Sequence, residues 1–198
     1  MTTLFHAPNS RSSTVVALIE ELGAPVDIQE VTIPRHDGSG SHDPRNPHPE
    51  KKVPFLVDGD ERVRERGAIM LYLTDRYPQA GLGPVEGAPG RGDYLSWMFY
   101  YQGVMEPVIV LHMVGVSHPV IDANLRNLDA VIERLAETLE RRPYLLGEDY
   151  SAADLLCSSV FLWLPDLMPD NKVVRDWITR CGERPSVKRA LERDAQTG

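Results

Sequence analysis

The chain has 198 residues, 42% hydrophobic and 25% charged, which is enough to bury a core as one domain or two small ones and too apolar for default disorder. A formal net charge of -8 works against attraction to nucleic-acid phosphates or to an anionic membrane surface, so neither is expected as a partner. The opening MTTLFHAPNS has no basic stretch followed by an apolar one, no apolar run approaches bilayer length, and Cys157 and Cys181 stand outside any CxxC pair, so a cytoplasmic protein with reduced core thiols is expected.

Thr3 to His6 reads as a short strand closed by Ala7-Pro8-Asn9. Val15, Leu18, Ile19 and Leu22 then fall on one helical face, with Ser12 or Ser13 positioned to cap the start and Gly23 to end the helix in the left-handed conformation. Val26 to Ile33 predicts a second strand whose alternation slips before Val31, where a bulge would restore the phase. Pro34 to Pro49, almost without aliphatic residues, predicts a loop. Val53 to Val57, the turn Asp58-Gly59-Asp60 and Arg62 to Arg64 predict a hairpin, and Ile69, Leu73 and Tyr77 a helix stopped by Pro78.

Strand signals cease after Gly81, and the small-residue stretch that follows reads as a linker over 82–90 between a domain at 1–81 and a helical domain at 91–198. Tyr94, Trp97, Met98, Tyr101, Met105 and Val108 form one helical stripe, bent by Pro107, and Leu125, Leu128, Ile132, Leu135 and Leu139 a second. Ser151 stands three residues before Asp154, the spacing of a capping box, with Tyr150 before it as a staple. Two shorter helices are expected around Trp177-Ile178 and around Val187 and Leu191. His36, His42 and His48 recur at six-residue intervals in the loop, but no cysteine or HExxH pattern supports a metal, and none is expected.

In this order and spacing the motifs resemble the cytosolic glutathione transferase superfamily, of a serine-type or related bacterial class, over essentially the whole chain. Asn46-Pro47 through Lys51-Lys52-Val53-Pro54 is similar to the family's NPxxKVP segment, whose proline is cis. Glu65-Arg66-Gly67-Ala68-Ile69 resembles its ESxAI turn into a helix, and Leu145-Leu146-Gly147 through Ser151 and Asp154 its capping box. Leu4-Phe5 through Ser10, followed by the helix and Gly23, resembles the catalytic turn of the serine or cysteine classes. The resemblance implies an α/β thioredoxin-like N-terminal domain, an all-α C-terminal domain and a homodimer. It also implies glutathione as co-substrate, its thiol activated for attack on a small apolar electrophile in detoxification.

Under this resemblance Ser10 is the counterpart of the hydroxyl that hydrogen-bonds the glutathione sulfur, with Ser12 and Ser13 as alternates and Ser12 beside the ligand. Phe5 lacks the hydroxyl of the tyrosine classes, and the absence of a cysteine in the turn argues against mixed-disulfide chemistry. The Val53 backbone beside Pro54 would pair with the cysteinyl unit as an added strand does. One of Lys51 and Lys52, with Lys52 the preferred counterpart, would meet the glycyl carboxylate. The helix opening at Arg66 would receive the γ-glutamyl carboxylate, and Glu65 the ammonium. Tyr100, Tyr101 and Met105 are the implied lining of the electrophile site. Arg66 is the departure, because the family has serine there: either its guanidinium takes over the carboxylate, or the chain is a noncatalytic ligand-binding protein of the same fold.

Overall fold

The computed structural model describes residues 1–197. The chain divides into two compact units, one of Met1–Ala80 with the segment from Arg184 onward, the other of Gly81–Glu183. The expected division kept residues 91–198 together, whereas the last helix packs with the first unit. The reason is local to that helix: Glu21 accepts from Arg184 Nε and Nη2 at 2.5 and 2.6 Å and from Ser186 Oγ at 2.5 Å, tying the helix start to the first helix of the chain.

The first unit is built on strands β1 (Thr2–His6), β2 (Val26–Glu30), β3 (Phe55–Asp58) and β4 (Glu61–Arg64), ordered β2-β1-β3-β4. β1 runs parallel to β2 and antiparallel to β3, and β4 closes a hairpin whose Gly59 has φ 60, a conformation that costs glycine little. Helix α1 (Ser13–Leu22) supplies the crossover between the parallel strands, burying Val15, Leu18, Ile19 and Leu22. Gly23 ends it at φ 58, with the Gly23 and Ala24 N–H groups returning to Glu20 and Ile19 carbonyls, as its glycine predicts. β2 stops at Glu30, where the alternation loses phase, instead of continuing through a bulge to Ile33. The Val31 N–H still returns to the His6 carbonyl.

The loop after β2 is knit by its own polar groups. Asp43 accepts from the Thr32 and Arg45 N–H groups and from the Arg45 guanidinium. Buried Asn46 accepts from the His48 N–H and donates to the Lys52 carbonyl. Helix α2 (Arg66–Arg76) then buries Ile69, Met70 and Leu73 and stops before Pro78.

In the second unit the expected long stripe is one continuous path of two helices, α3 (Arg91–Tyr100) and α4 (Glu106–Met113), joined by a π-helical segment at Tyr101–Met105. Pro107 has no N–H to return to Gly103, and the Glu106 N–H reaches back to the Tyr101 carbonyl, so the register widens just ahead of the proline. All six stripe residues are buried. Helices α5 (Pro119–Asn124), α6 (Leu128–Leu139), α7 (Ala152–Trp163) and α8 (Lys172–Gly182) complete the unit, and α9 (Pro185–Thr197) belongs to the first. Among the described residues no helix is long and apolar enough to cross a membrane.

The capping box at Ser151 is the centre of a larger network. Asp154, fully buried, accepts from the Ser151 N–H and hydroxyl at 2.9 and 2.7 Å, from the Leu145 N–H at 2.8 Å and from the Trp177 indole at 2.9 Å. Burial pushes its carboxyl up from the ordinary value, against the pull of these donors. One side chain thus joins the start of α7 to α8 and to the loop before it. Asp154→Ala leaves four donors without an acceptor and should destabilise the chain by about 3 to 5 kcal/mol in urea denaturation. An unchanged midpoint would show that the network is dispensable.

Candidate functional site

Strand register brings three departing segments to one end of the first unit's sheet. Phe5 pairs with Phe55 and Phe55 with Arg64, so the turn after β1, the Val53-Pro54 segment before β3 and the Glu65-Arg66 turn after β4 all leave the sheet from one row of residues. The Val53-Pro54 peptide is cis. Glu65 has φ 66 and ψ 128 and is exposed at the N-cap of α2, a positive-φ conformation unusual for a non-glycine residue.

The turn after β1 is organised by side chains. Asn9 takes the left-handed conformation at φ 53, and Arg35 from the following loop donates to the Pro8 and Asn9 carbonyls at 2.5 and 3.1 Å. Ser10 is half-buried, and its hydroxyl donates to the Ala7 carbonyl at 2.7 Å and lies 2.7 Å from Ser12 Oγ. Ser12 is fully buried: its Oγ is 2.8 Å from His6 Nδ1 and accepts from the Ala7 N–H at 3.2 Å.

Neither serine caps α1 as the sequence suggested. Ser12 has helical φ and ψ and makes no side-chain cap bond, while the Ser13 hydroxyl donates to Asp194 at 2.5 Å. A tertiary partner has replaced the local backbone N–H.

Asp194, on α9, was not singled out from the sequence. Its Oδ1 is 3.1 Å from His6 Nε2, and its Oδ2 accepts from the Asn9 N–H at 2.8 Å and from Ser13. His6 is wholly inaccessible and Asp194 nearly so, at 2% exposure. Burial raises the Asp194 carboxyl, but His6, Ser13 and the Asn9 N–H together outweigh it and hold it below the ordinary value.

The remaining expected residues divide by exposure. Lys52 is exposed, whereas Lys51 Nζ is bound to the Asn46 carbonyl at 2.6 Å, leaving Lys52 as the more available cation. Arg66 is 5% exposed at the first position of α2, with Nη1 3.4 Å from Thr14 Oγ1 on α1. In the second unit Tyr101 and Met105 are buried, and Tyr100 is half-buried with its ring edge-on to Trp97. His48 is buried against Phe55 and accepts from the Glu50 N–H, while His36 and His42 are exposed. Among the described residues no three His, Cys, Asp or Glu side chains converge as a metal site. Both cysteines are buried and form no disulfide.

Residues 4–81 match the family model for the glutathione S-transferase N-terminal domain, and residues 100–192 that for the glutathione S-transferase C-terminal domain. An uncharacterized GST-like protein of Streptococcus mutans is 30% identical over 204 residues, covering 89% of this chain and 74% of its own. The disulfide-bond oxidoreductase YfcG of Escherichia coli is 29% identical over 214 residues, covering 96% of this chain and 94% of its own. The solved structure of a glutathione transferase homologue from Sulfitobacter, with bound glutathione, matches at a TM-score of 0.71 and 25% identity over 98% of each chain.

The depressed carboxyl of Asp194 has a consequence for stability. Its contribution is fully present above the ordinary carboxylate range and is lost as pH falls through the lowered folded-state value. Melting temperature measured against pH should therefore drop on the acid side, with a shallower drop in Asp194→Asn. An identical acid limb in the variant would remove Asp194 as a source of this dependence.

Proposed function

The chain belongs to the glutathione S-transferase family, and from that premise we propose that it binds glutathione in its first unit and activates the thiol for attack on a small apolar electrophile. The observation that carries this reading is the shared sheet row, Phe5, Phe55 and Arg64, from which the Ser10 turn, the Val53 backbone and the α2 N-terminus all depart. A ligand spanning these segments has a hydroxyl for its sulfur and backbone groups at Val53 for its cysteinyl amide. For its γ-glutamyl end it has the α2 N-terminus with Glu65 and Arg66, and for its glycyl carboxylate, Lys52. That a family homologue from Sulfitobacter binds glutathione supports this assignment.

The work asked of Ser10 is limited. Lowering a thiol pKa from about 8.5 to about 6.5 raises the thiolate at neutral pH from roughly 3% to roughly 75%. Nucleophilicity falls with basicity at a slope of about 0.4 to 0.5, so activation yields only a few-fold gain and positioning of the electrophile supplies the rest. Of the residues proposed for the electrophile, Tyr100 keeps exposed surface and stands ahead of the buried Tyr101 and Met105.

Ser10→Ala should lower turnover with an activated aryl halide at neutral pH by only a few-fold, the gain that activation supplies, and leave glutathione affinity nearly unchanged. Equal losses in both would make Ser10 a binding residue and contradict its assigned role.

A second reading, a noncatalytic ligand-binding protein, draws on Arg66 alone. The family's serine is absent, and a cation at a helix N-terminus opposes the helix dipole. If Arg66 serves the glutathione carboxylate, Arg66→Ala should weaken binding by about 1.5 to 3 kcal/mol, added salt should weaken it further, and Arg66→Ser should recover part of the loss. If glutathione is not the ligand, the native chain should bind it poorly and Arg66→Ser should bind it better than the native arginine does. Calorimetric titration of the three proteins at two salt concentrations separates these outcomes.

A further inference from the structure

The activation just described leaves one question of chemistry: which group receives the thiol proton. A serine hydroxyl can donate to a thiolate, but it is far too weak a base to keep the proton that forms the thiolate. Ser10 does not stand alone. From its half-buried oxygen a continuous line of contacts runs inward: 2.7 Å to Ser12 Oγ, 2.8 Å from Ser12 Oγ to His6 Nδ1, and 3.1 Å from His6 Nε2 to Asp194 Oδ1. Only the Ser10 end has solvent exposure; Ser12 and His6 have none and Asp194 has 2%. The line gives the buried imidazole a hydrogen-bonded path to the half-buried Ser10 oxygen.

We propose that Asp194, His6, Ser12 and Ser10 form a proton relay that carries the proton of a thiol bound at Ser10 inward to His6 Nδ1. The proposal rests on the reading that the first unit binds glutathione. Ionised Asp194 accepts from His6 Nε2–H, which directs the Nδ1 lone pair at the Ser12 hydroxyl. The thiol proton passes to Ser10 Oγ, the proton of Ser10 to Ser12 Oγ, and the proton of Ser12 to His6 Nδ1. One S–H bond breaks and one N–H bond forms, and the neutral thiol and imidazole become thiolate and imidazolium. Every donor in the line then points outward, ending with the Ser10 hydroxyl on the sulfur.

Two features of the surroundings fit a relay better than a static brace. The Ala7 carbonyl lies 2.7 Å from Ser10 Oγ and 3.2 Å from Ser12 Oγ, so each hydroxyl has a second acceptor and can turn without losing a hydrogen bond. The second oxygen of Asp194 is held by the Asn9 N–H and the Ser13 hydroxyl, which fixes the carboxylate as a partner for an imidazolium. Glu30, beside His6 in the sheet register, is itself paired with Arg193 at 3.4 Å, and Arg35 is engaged with the Pro8 and Asn9 carbonyls. Asp194 is in direct contact with the His6 ring.

Proton accounting tests this directly. Glutathione is titrated into the protein near neutral pH in two buffers of different ionisation enthalpy, and bound thiolate is followed by its ultraviolet absorbance. A relay keeps the proton inside, so the native protein should form bound thiolate while releasing close to no protons; release of about one proton per thiolate formed overturns the proposal. Asp194→Asn, which keeps the hydrogen-bonding shape but not the charge, should bind glutathione within about threefold of native affinity and lose about tenfold of its thiolate, or form it with proton release. His6→Gln should behave the same way, and if it fails to fold, Asp194→Asn and the native stoichiometry still decide. Native thiolate yield and stoichiometry in both folded variants would also overturn the relay. An absence of glutathione binding to the native protein would overturn the functional reading and the relay with it, whereas binding with proton release overturns the relay alone.

Discussion

A buried carboxylate cannot be left unpaired, and the first unit is arranged around satisfying one. Asp194 lies on the last helix, yet its partners are His6, Asn9 and Ser13 at the opposite end of the chain. Desolvation of the charge would be prohibitive alone, and three converging donors offset it. The same contacts fix the turn after β1, orient the imidazole and draw α9 against α1, where the Glu21 cluster with Arg184 and Ser186 holds the helix start. The hydroxyl presented at Ser10 is thus set by a group far from it in sequence.

The second unit solves a similar problem with Asp154. Its four donors come from the α7 N-terminus, the preceding loop and an indole on α8. The two aspartates differ in electrostatic outcome: burial dominates at Asp154 and raises its carboxyl, while the donors dominate at Asp194 and lower it. That contrast suits their settings, since Asp154 lies deep in a core and Asp194 faces a titratable ring.

The sheet converts topology into a site. A parallel strand pair joined by α1, followed by an antiparallel hairpin, returns three chain segments to one end of four short strands. Each segment alone is an unremarkable turn. Together they bring a hydroxyl, the Val53 backbone and a helix N-terminus to one end of the sheet.

Features that depend on near neighbours in the chain were legible in the sequence: the face of α1, its glycine stop, the hairpin turn, the capping-box spacing of Ser151 and Asp154, and the proline that disturbs the helix after Tyr100. Helical period and turn chemistry act over a few residues, so a linear reading captures them. The resemblance of the ordered motifs also identified the family and hence the fold. What the sequence alone left open was how distant side chains pair. Ser12 reads as a cap because a hydroxyl before a helix normally accepts from its own backbone, and only folding brings His6 and Ala7 to it. His6 reads as a strand residue, and nothing in its neighbours announces an aspartate 188 positions away. Long-range pairing is decided when the core closes and each buried charge must find its donors, and that selection, made by desolvation over the whole unit, has no local signature.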